Sequence, residues 1–266
     1  MAEIGFIGAG NMAEAIIGGM VKKGLYRPDQ ISIYDVRTER TRELASAYGV
    51  GVAAALADLA AACPVVVLAV KPDKVDTVLS GARDELAGRL VISIAAGIAI
   101  GKIQALIGRE AKVVRVMPNT PALVLEGASA LCASPSCTQA DVQTAFAIFS
   151  AVGRCVLVDE GMMNAVTALS GSGPAFCFLF LEALADGAVR AGLPRDLALE
   201  LAASTLKGAA AMVLETGRHP GALKDMVASP GGTTIEGIAV LEAKGFRSAA
   251  TEAVFAAFQK ANKLAS

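Results

Sequence analysis

Ile4-Gly5-Phe6-Ile7-Gly8-Ala9-Gly10-Asn11-Met12-Ala13 opens the chain, and its reading decides the fold. The stretch Ile4–Ile7 reads as a short buried strand. It runs into Gly-x-Gly-x-x-Ala, and a helical pattern follows over residues 12–23, closed by Gly24. Strand, glycine turn and helix in that order form a dinucleotide-binding fingerprint. Gly8 permits the tight turn, Gly10 lets a pyrophosphate approach the backbone, and Ala13 lets helix and strand pack closely. Asn11 and Met12 begin a helix whose free N–H groups and positive dipole end favour phosphate. A second strand, Ile31–Tyr34, ends in Asp35, about 20 residues on, where the fingerprint places an acid for the ribose. Asp35 would accept from the 2′-hydroxyl of NAD. Arg37 and Arg40, just behind it, could hold the 2′-phosphate of NADP, so the choice of cofactor stays open. The plainer alternative for Asp35 is a turn or capping residue.

Outward from that turn, apolar runs alternate with Ala-rich helical stretches to about residue 160. Further strands are predicted at residues 65–70, 90–93, 112–117, 128–132 and 154–158. Helices are predicted at residues 38–48, 75–86 and 100–106. This alternation predicts an α/β fold, a doubly wound parallel sheet of Rossmann type, over residues 1–160. Ligands of such sheets bind beyond the carboxyl ends of the strands. Those ends carry Ala69, Val70, Lys71 and Pro72, then Ala95, Ala96 and Gly97 after Ser93, then Asn119 within Met117-Pro118-Asn119-Thr120-Pro121. Lys71 would be displayed at the crevice. The small residues around Gly97 allow a flat nicotinamide ring to lie close.

From residue 161 to 266 strand-like runs stop. Helices are predicted at residues 174–191, 194–215, 233–244 and 248–264. Gly192, Gly217 and Gly245 stand where glycines end helices, and Pro194 suits a first helical position. Residues 175–181, Ala-Phe-Cys-Phe-Leu-Phe-Leu, have no polar side. A small helical unit this apolar predicts a dimerisation domain that shares its core with a second copy. Two segments read as loops, residues 170–175 and 224–236. In the second, Thr233 and Glu236 fit a capping box. Ser229, Gly231, Gly232, Thr233 and Thr234 also gather N–H and hydroxyl donors at a positive helix end, which suits a small carboxylate.

Of the 266 residues 54% are apolar, and the mean hydropathy is +0.55, which raises the membrane question. The longest stretch of low charge, residues 51–70, contains Asp58 and Pro64 and reads as an Ala-rich helix plus a buried strand rather than a span. No secretory pattern precedes the first strand, so a cytoplasmic protein is expected. A net charge of −1 without a basic stripe argues against nucleic-acid partners. Cys63, Cys132, Cys137, Cys155 and Cys177 are scattered and read as reduced, mostly buried thiols. With His219 the one histidine, no metal site is expected.

Taken in order, the Gly8 to Ala13 turn, Ala69-Val70-Lys71-Pro72, Ser93-Ile94-Ala95-Ala96-Gly97, Met117-Pro118-Asn119-Thr120-Pro121, Ser170-Gly171-Ser172-Gly173-Pro174 and the runs at residues 221–225, 229–234 and 242–247 resemble the pyrroline-5-carboxylate reductases. The resemblance spans essentially the whole chain. It implies reduction of 1-pyrroline-5-carboxylate to L-proline by NADPH, with NADH left open. It implies that the N–H groups of Gly231, Gly232 and Thr233, with the Ser229 hydroxyl, hold the substrate carboxylate. Thr234, as the catalytic residue, would set its hydroxyl against the ring nitrogen. It also implies a homodimer and, in many members, a decamer built from dimers. Two rival readings fare worse. A 3-hydroxyacid dehydrogenase would place a lysine one helical turn after the glycine turn, where this chain has Ala175-Phe176-Cys177-Phe178. A dinucleotide-sensing regulator has no need of the Ser229 to Thr234 cluster.

Overall fold

In the computed structural model, which describes residues 2–265, eight strands lie in one sheet. They are β1 (Ile4–Ile7), β2 (Ile31–Tyr34), β3 (Gly51–Val52), β4 (Val65–Leu68), β5 (Leu90–Ser93), β6 (Lys112–Met117), β7 (Gly127–Ala133) and β8 (Gly153–Leu157). The order is β3-β2-β1-β4-β5-β6-β7-β8. Pairing is parallel from β3 through β6, antiparallel between β6 and β7, and parallel again between β7 and β8. The antiparallel step has a local cause. Residues 118–126 join β6 to β7 through a 3-10 turn (Thr120–Val124), too short for the helical crossover that a parallel pair requires.

Alternation along the strands sends successive side chains to opposite faces. Val67 joins the cluster on one face, while Val66 and Leu68 join the cluster on the other. The first face is covered by α1 (Asn11–Lys22), α2 (Thr38–Tyr48) and α6 (Gln139–Ser150), through Ile16, Ile17, Met20, Leu44, Ile148 and Phe149. The second is covered by α3 (Leu56–Ala62), α4 (Val75–Gly81) and α5 (Ile100–Ile107), through Leu59, Leu79, Ile103 and Ile107. Each large apolar side chain so buried contributes about 1.5–3 kcal/mol. The low-charge stretch 51–70 contains the expected helix, α3, and strand, β4, preceded by the two-residue strand β3, which was not foreseen.

Several boundaries differ from expectation. The strand predicted over 65–70 stops at Leu68, because Ala69 and Val70 turn off the sheet toward the glycine turn. The helix predicted over 75–86 stops at Gly81, and residues 82–89 form turns. Helix α6 was not foreseen. It starts at a capping box in which Thr138 Oγ1 accepts the Asp141 N–H (3.2 Å) and the Asp141 carboxylate accepts the Thr138 N–H (2.8 Å). Arg115 stands in the middle of β6, buried between Val114 and Val116 in sequence.

The chain divides into two compact units, the first taking residues up to 172 together with 257 onward, the second taking 173–256. The second unit holds α8 (Gly173–Arg190), α9 (Arg195–Thr216), α10 (Pro220–Val227), α11 (Thr233–Ala243) and the first half of α12 (Phe246–Ala265). A short helix α7 (Met163–Val166) and a π-helical turn (Thr167–Gly171) precede it in the first unit. Residues 170–175, predicted as a loop, are therefore helical, since the π turn leads into α8. Pro194 caps α9 from outside rather than occupying its first position. Residues 224–227, read as the start of a loop, are instead the second half of α10, whose start Pro220 marks. Within the second unit Ala185, Ala198 and Ala202 form a small buried cluster between α8 and α9. Most of its larger apolar side chains are exposed, among them Phe178, Leu179, Leu214, Met226 and Phe255. By length and composition two helical stretches, Glu160–Arg190 and Arg195–Thr216, are apolar enough to cross a membrane.

Candidate active site

The strand order reverses between β1 and β4, since each is followed in the chain by elements on opposite sides of that pair. Such a switch point leaves a crevice at the carboxyl ends of the two strands. Gly8 lies at its edge with φ +104, a conformation L side chains rarely adopt, and a methyl at that position would stand 2.5 Å from the Ala69 carbonyl oxygen. Glycine is required there on both counts. Gly10 caps α1 without a side chain, and a methyl built on it would meet only open space. The turn thus presents bare backbone and a helix start toward the crevice, which fits a dinucleotide pyrophosphate. Ala13 is buried beneath it, Met12 packs on the core, and Asn11 is exposed.

Asp35 is tied to this turn. Its Oδ2 accepts the Ala9 N–H at 2.8 Å, and its Oδ1 accepts the Arg37 N–H at 2.9 Å. The Arg37 guanidinium pairs with the same carboxylate at 3.3 Å. Burial works to raise the Asp35 pKa, but hydrogen bonds from Arg37 and Ala9 and the Arg37 charge outweigh it and hold it below the ordinary carboxylate value. The turn-residue reading of Asp35 is thus part of its role. The side chain of Asp35 is 9% exposed and that of Arg37 65%. Arg40 is committed elsewhere: its Nε donates to the Ala9 carbonyl at 2.8 Å, and its guanidinium pairs with Glu14 and Glu43. Of the two arginines, Arg37 is the more exposed, at 65% against 21% for Arg40.

The other strand ends differ in character. Lys71 is exposed and caps the 3-10 turn Pro72–Lys74. Beyond β5, Ala95 points into the core, Ala96 is exposed, and Gly97 has φ +76. Asn119 is buried with both amide ends used, Nδ2 donating to the Ser170 carbonyl (2.9 Å) and Oδ1 accepting the Ala128 N–H (2.8 Å). It ties β6 to β7 and to the π turn.

In the second unit Ser229-Pro230-Gly231-Gly232 forms a tight turn, with the Gly232 N–H donating to the Ser229 carbonyl at 3.1 Å and Gly231 at φ +65. Proline second and a left-handed glycine third is the pattern of a type II turn. Any side chain on Gly232 would collide with the Ser229 hydroxyl. The predicted capping box does not form: Gly232 is the cap of α11, and Thr233 and Thr234 are its first two residues. A cap without a side chain leaves the first N–H groups of α11 without a local partner. His219, exposed, caps α10 by accepting the Gly221 N–H on Nδ1 at 3.1 Å. Among the described residues no group of His, Cys, Asp and Glu is arranged to hold a metal.

Sequence comparison extends over the whole of this framework. The chain is 46% identical over 263 residues to the pyrroline-5-carboxylate reductase of Methanosarcina acetivorans, covering 98% of this chain and 97% of that one. The chain belongs to the pyrroline-5-carboxylate reductase family. A family model described as pyrroline-5-carboxylate reductase dimerisation matches residues 160–264, and one described as NADP oxidoreductase, coenzyme F420-dependent, matches residues 3–97. The reductase of Coxiella burnetii superposes with a TM-score of 0.94 at 37% identity, covering 100% of this chain and 99% of that one. The Plasmodium falciparum enzyme, solved with NADP bound, superposes with a TM-score of 0.90 at 34% identity, covering 100% and 98%. Family membership removes the hydroxyacid dehydrogenase and the regulator as readings of the chain.

Sequence reasoning missed Arg115, whose guanidinium reaches Glu160 at 3.3 Å. An arginine inside the apolar run Val113-Val114-Arg115-Val116 was the available signal.

Proposed function

We propose that this chain reduces 1-pyrroline-5-carboxylate to L-proline with NADPH, the last step of proline formation. The observation that supports the reading is that each unit carries one glycine-capped helix start, Gly10 before α1 in the first and Gly232 before α11 in the second. One suits a pyrophosphate and the other a small carboxylate. Residues 1–160 are assigned to the cofactor, through Gly8, Gly10, Asn11, Met12, Ala13, Asp35, Arg37, Ala69, Val70, Lys71, Pro72, Ala95, Ala96, Gly97 and Asn119. Residues 161–266 are assigned to substrate and dimerisation.

When bound, the reduced nicotinamide supplies the hydride that the imine carbon accepts. The chain's own residues bind and orient. The N–H groups of Gly231 and Thr233 hold the carboxylate, and the Ser229 hydroxyl adds a donor; the Gly232 N–H, expected to join them, is instead taken by the Ser229 carbonyl and closes the turn that presents the other two. Thr234 sets its hydroxyl against the ring nitrogen. A threonine hydroxyl is too weak an acid to protonate an imine alone, so the substrate reacts as its iminium and the product nitrogen keeps that proton. Fixing the reacting groups in line contributes up to about 7–11 kcal/mol in favourable systems. Arg37 compensates the Asp35 charge and, 65% exposed, would be the residue to hold a 2′-phosphate, which supports NADPH over NADH.

The exposed apolar faces of α8 to α12 support a homodimer that closes the second unit's core, with a decamer of dimers as the larger assembly. In that reading the two long apolar helices are interface rather than membrane spans, and the enzyme works in the cytoplasm without nucleic-acid partners. The test is product analysis. Purified protein with excess NADPH and pyrroline-5-carboxylate should form L-proline mole for mole with cofactor oxidised. Cofactor oxidation without proline would reject the substrate.

A further inference from the structure

Helix α5 begins after Ala99, whose extended backbone occupies the cap position and whose side chain carries no oxygen. A serine, threonine or aspartate usually serves there. Instead Glu160, sixty positions away, accepts the Ile100 N–H on Oε1 at 2.8 Å. The same Oε1 takes a hydrogen bond from Nη1 of Arg115 at 3.3 Å. The Arg115 side chain is 7% exposed and that of Glu160 39%. Arg115 lies in β6, hydrogen-bonded between β5 and β7, with Ser93 its register partner on one side and Cys132 on the other. The segment so pinned, residues 94–99, is the stretch between β5 and α5 that carries Ala95, Ala96 and Gly97.

An ion pair with one partner buried is a poor stabiliser, since apolar residues of similar volume commonly do as well. Its cost is explained better by what it fixes. We propose that Arg115 and Glu160 are positioning residues: Arg115 orients the Glu160 carboxylate, and Glu160 holds the start of α5. Together they set the backbone of residues 94–99 against which the nicotinamide end of the cofactor lies. Neither touches substrate or cofactor. The inference rests on the cofactor site proposed above.

Two double variants separate positioning from stability. Arg115→Met/Glu160→Ala removes the pair without stranding a buried charge, and also removes the cap. Arg115→Met/Glu160→Gln removes the charges but keeps an acceptor for the Ile100 N–H. Each is measured in the full-length protein for kcat and for binding of two probes, NADPH and adenosine 2′,5′-bisphosphate, which lacks the nicotinamide. The alanine double variant should lose about tenfold or more in kcat and bind NADPH more weakly, a misplacement effect. Its binding of the bisphosphate should stay within about twofold of the parent, because the Gly8 turn and Arg37 are untouched. The glutamine double variant should recover most of the turnover. Equal weakening of both probes, unchanged kcat in the alanine variant, or no recovery with glutamine would each overturn the proposal. The binding arm needs no turnover, so absence of imine reduction leaves it standing. A parent chain that binds neither probe overturns the proposal and the cofactor reading together.

Discussion

Val66, Val67 and Leu68 in β4 are fully buried, whereas Phe178 and Leu179 in α8, no less apolar, are 63% and 69% exposed. The contrast holds along both units. The sheet of the first is covered on two faces by helices of the same chain. In the second, among the described residues, α11 and the first half of α12 bury none of their side chains, and α8 buries only Ala185. The lesson is that hydropathy alone does not say where the cover comes from. A strand's neighbours are supplied by the chain's own topology, while these helices carry apolar surface in excess of what their unit encloses, as an obligate interface does.

The largest predicted effect breaks the second half of that comparison. Phe178→Asp/Leu179→Asp should convert the proposed homodimer to monomer in sedimentation equilibrium, weakening association about a thousandfold or more, because a charge would have to be buried unpaired. An unchanged mass would move the interface to another face. In the first unit, Phe149→Ala should cost about 3–5 kcal/mol in urea denaturation, as for a large side chain deleted from a closed core. A loss below about 1 kcal/mol would show that face to be less enclosed than described. At the second unit's helix start, Thr234→Val should keep the oligomer and the fold but lower kcat at least about tenfold, roughly 1.4 kcal/mol of barrier. An unchanged kcat removes Thr234 from the chemistry.

The smallest effect is chemical. Burial, first, pushes the Cys132 thiol up to about 11, with the Glu160 charge adding to the rise, and burial does the same for Cys155. Both stay protonated at neutral pH, and their thiolate appears only as the pH climbs toward 11, so alkylation there should be slow. Cys177 is exposed on the α8 face. It should be alkylated readily in the monomeric Phe178→Asp/Leu179→Asp variant and protected in the oligomer, as read by mass spectrometry. Equal labelling in both would contradict an interface on that face.

Much of the first unit was legible because its punctuation is local. The Gly8 turn, Tyr34 before Asp35 and Thr38 after Arg37 bound β1, β2 and α2 where the chain places them. The second unit's long helices were legible from Gly192, Gly217 and Gly245, each at positive φ past a helix end. What was illegible depended on competition between neighbours. Threonine followed three residues on by an acid makes a capping box at Thr138 and Asp141 but not at Thr233 and Glu236, because Gly232 takes the cap position first. Asp35 carried two readings, and its hydrogen bond to Ala9 is a tertiary fact that spacing alone does not contain. The remote cap that Glu160 places on α5 has no local signature at all.

The most direct test of the central claim follows oxidation of NADPH and of NADH by the purified chain, with and without pyrroline-5-carboxylate. The account predicts oxidation that depends on the imine and runs faster with NADPH. Folded protein that binds cofactor but oxidises neither in the presence of the imine would contradict it.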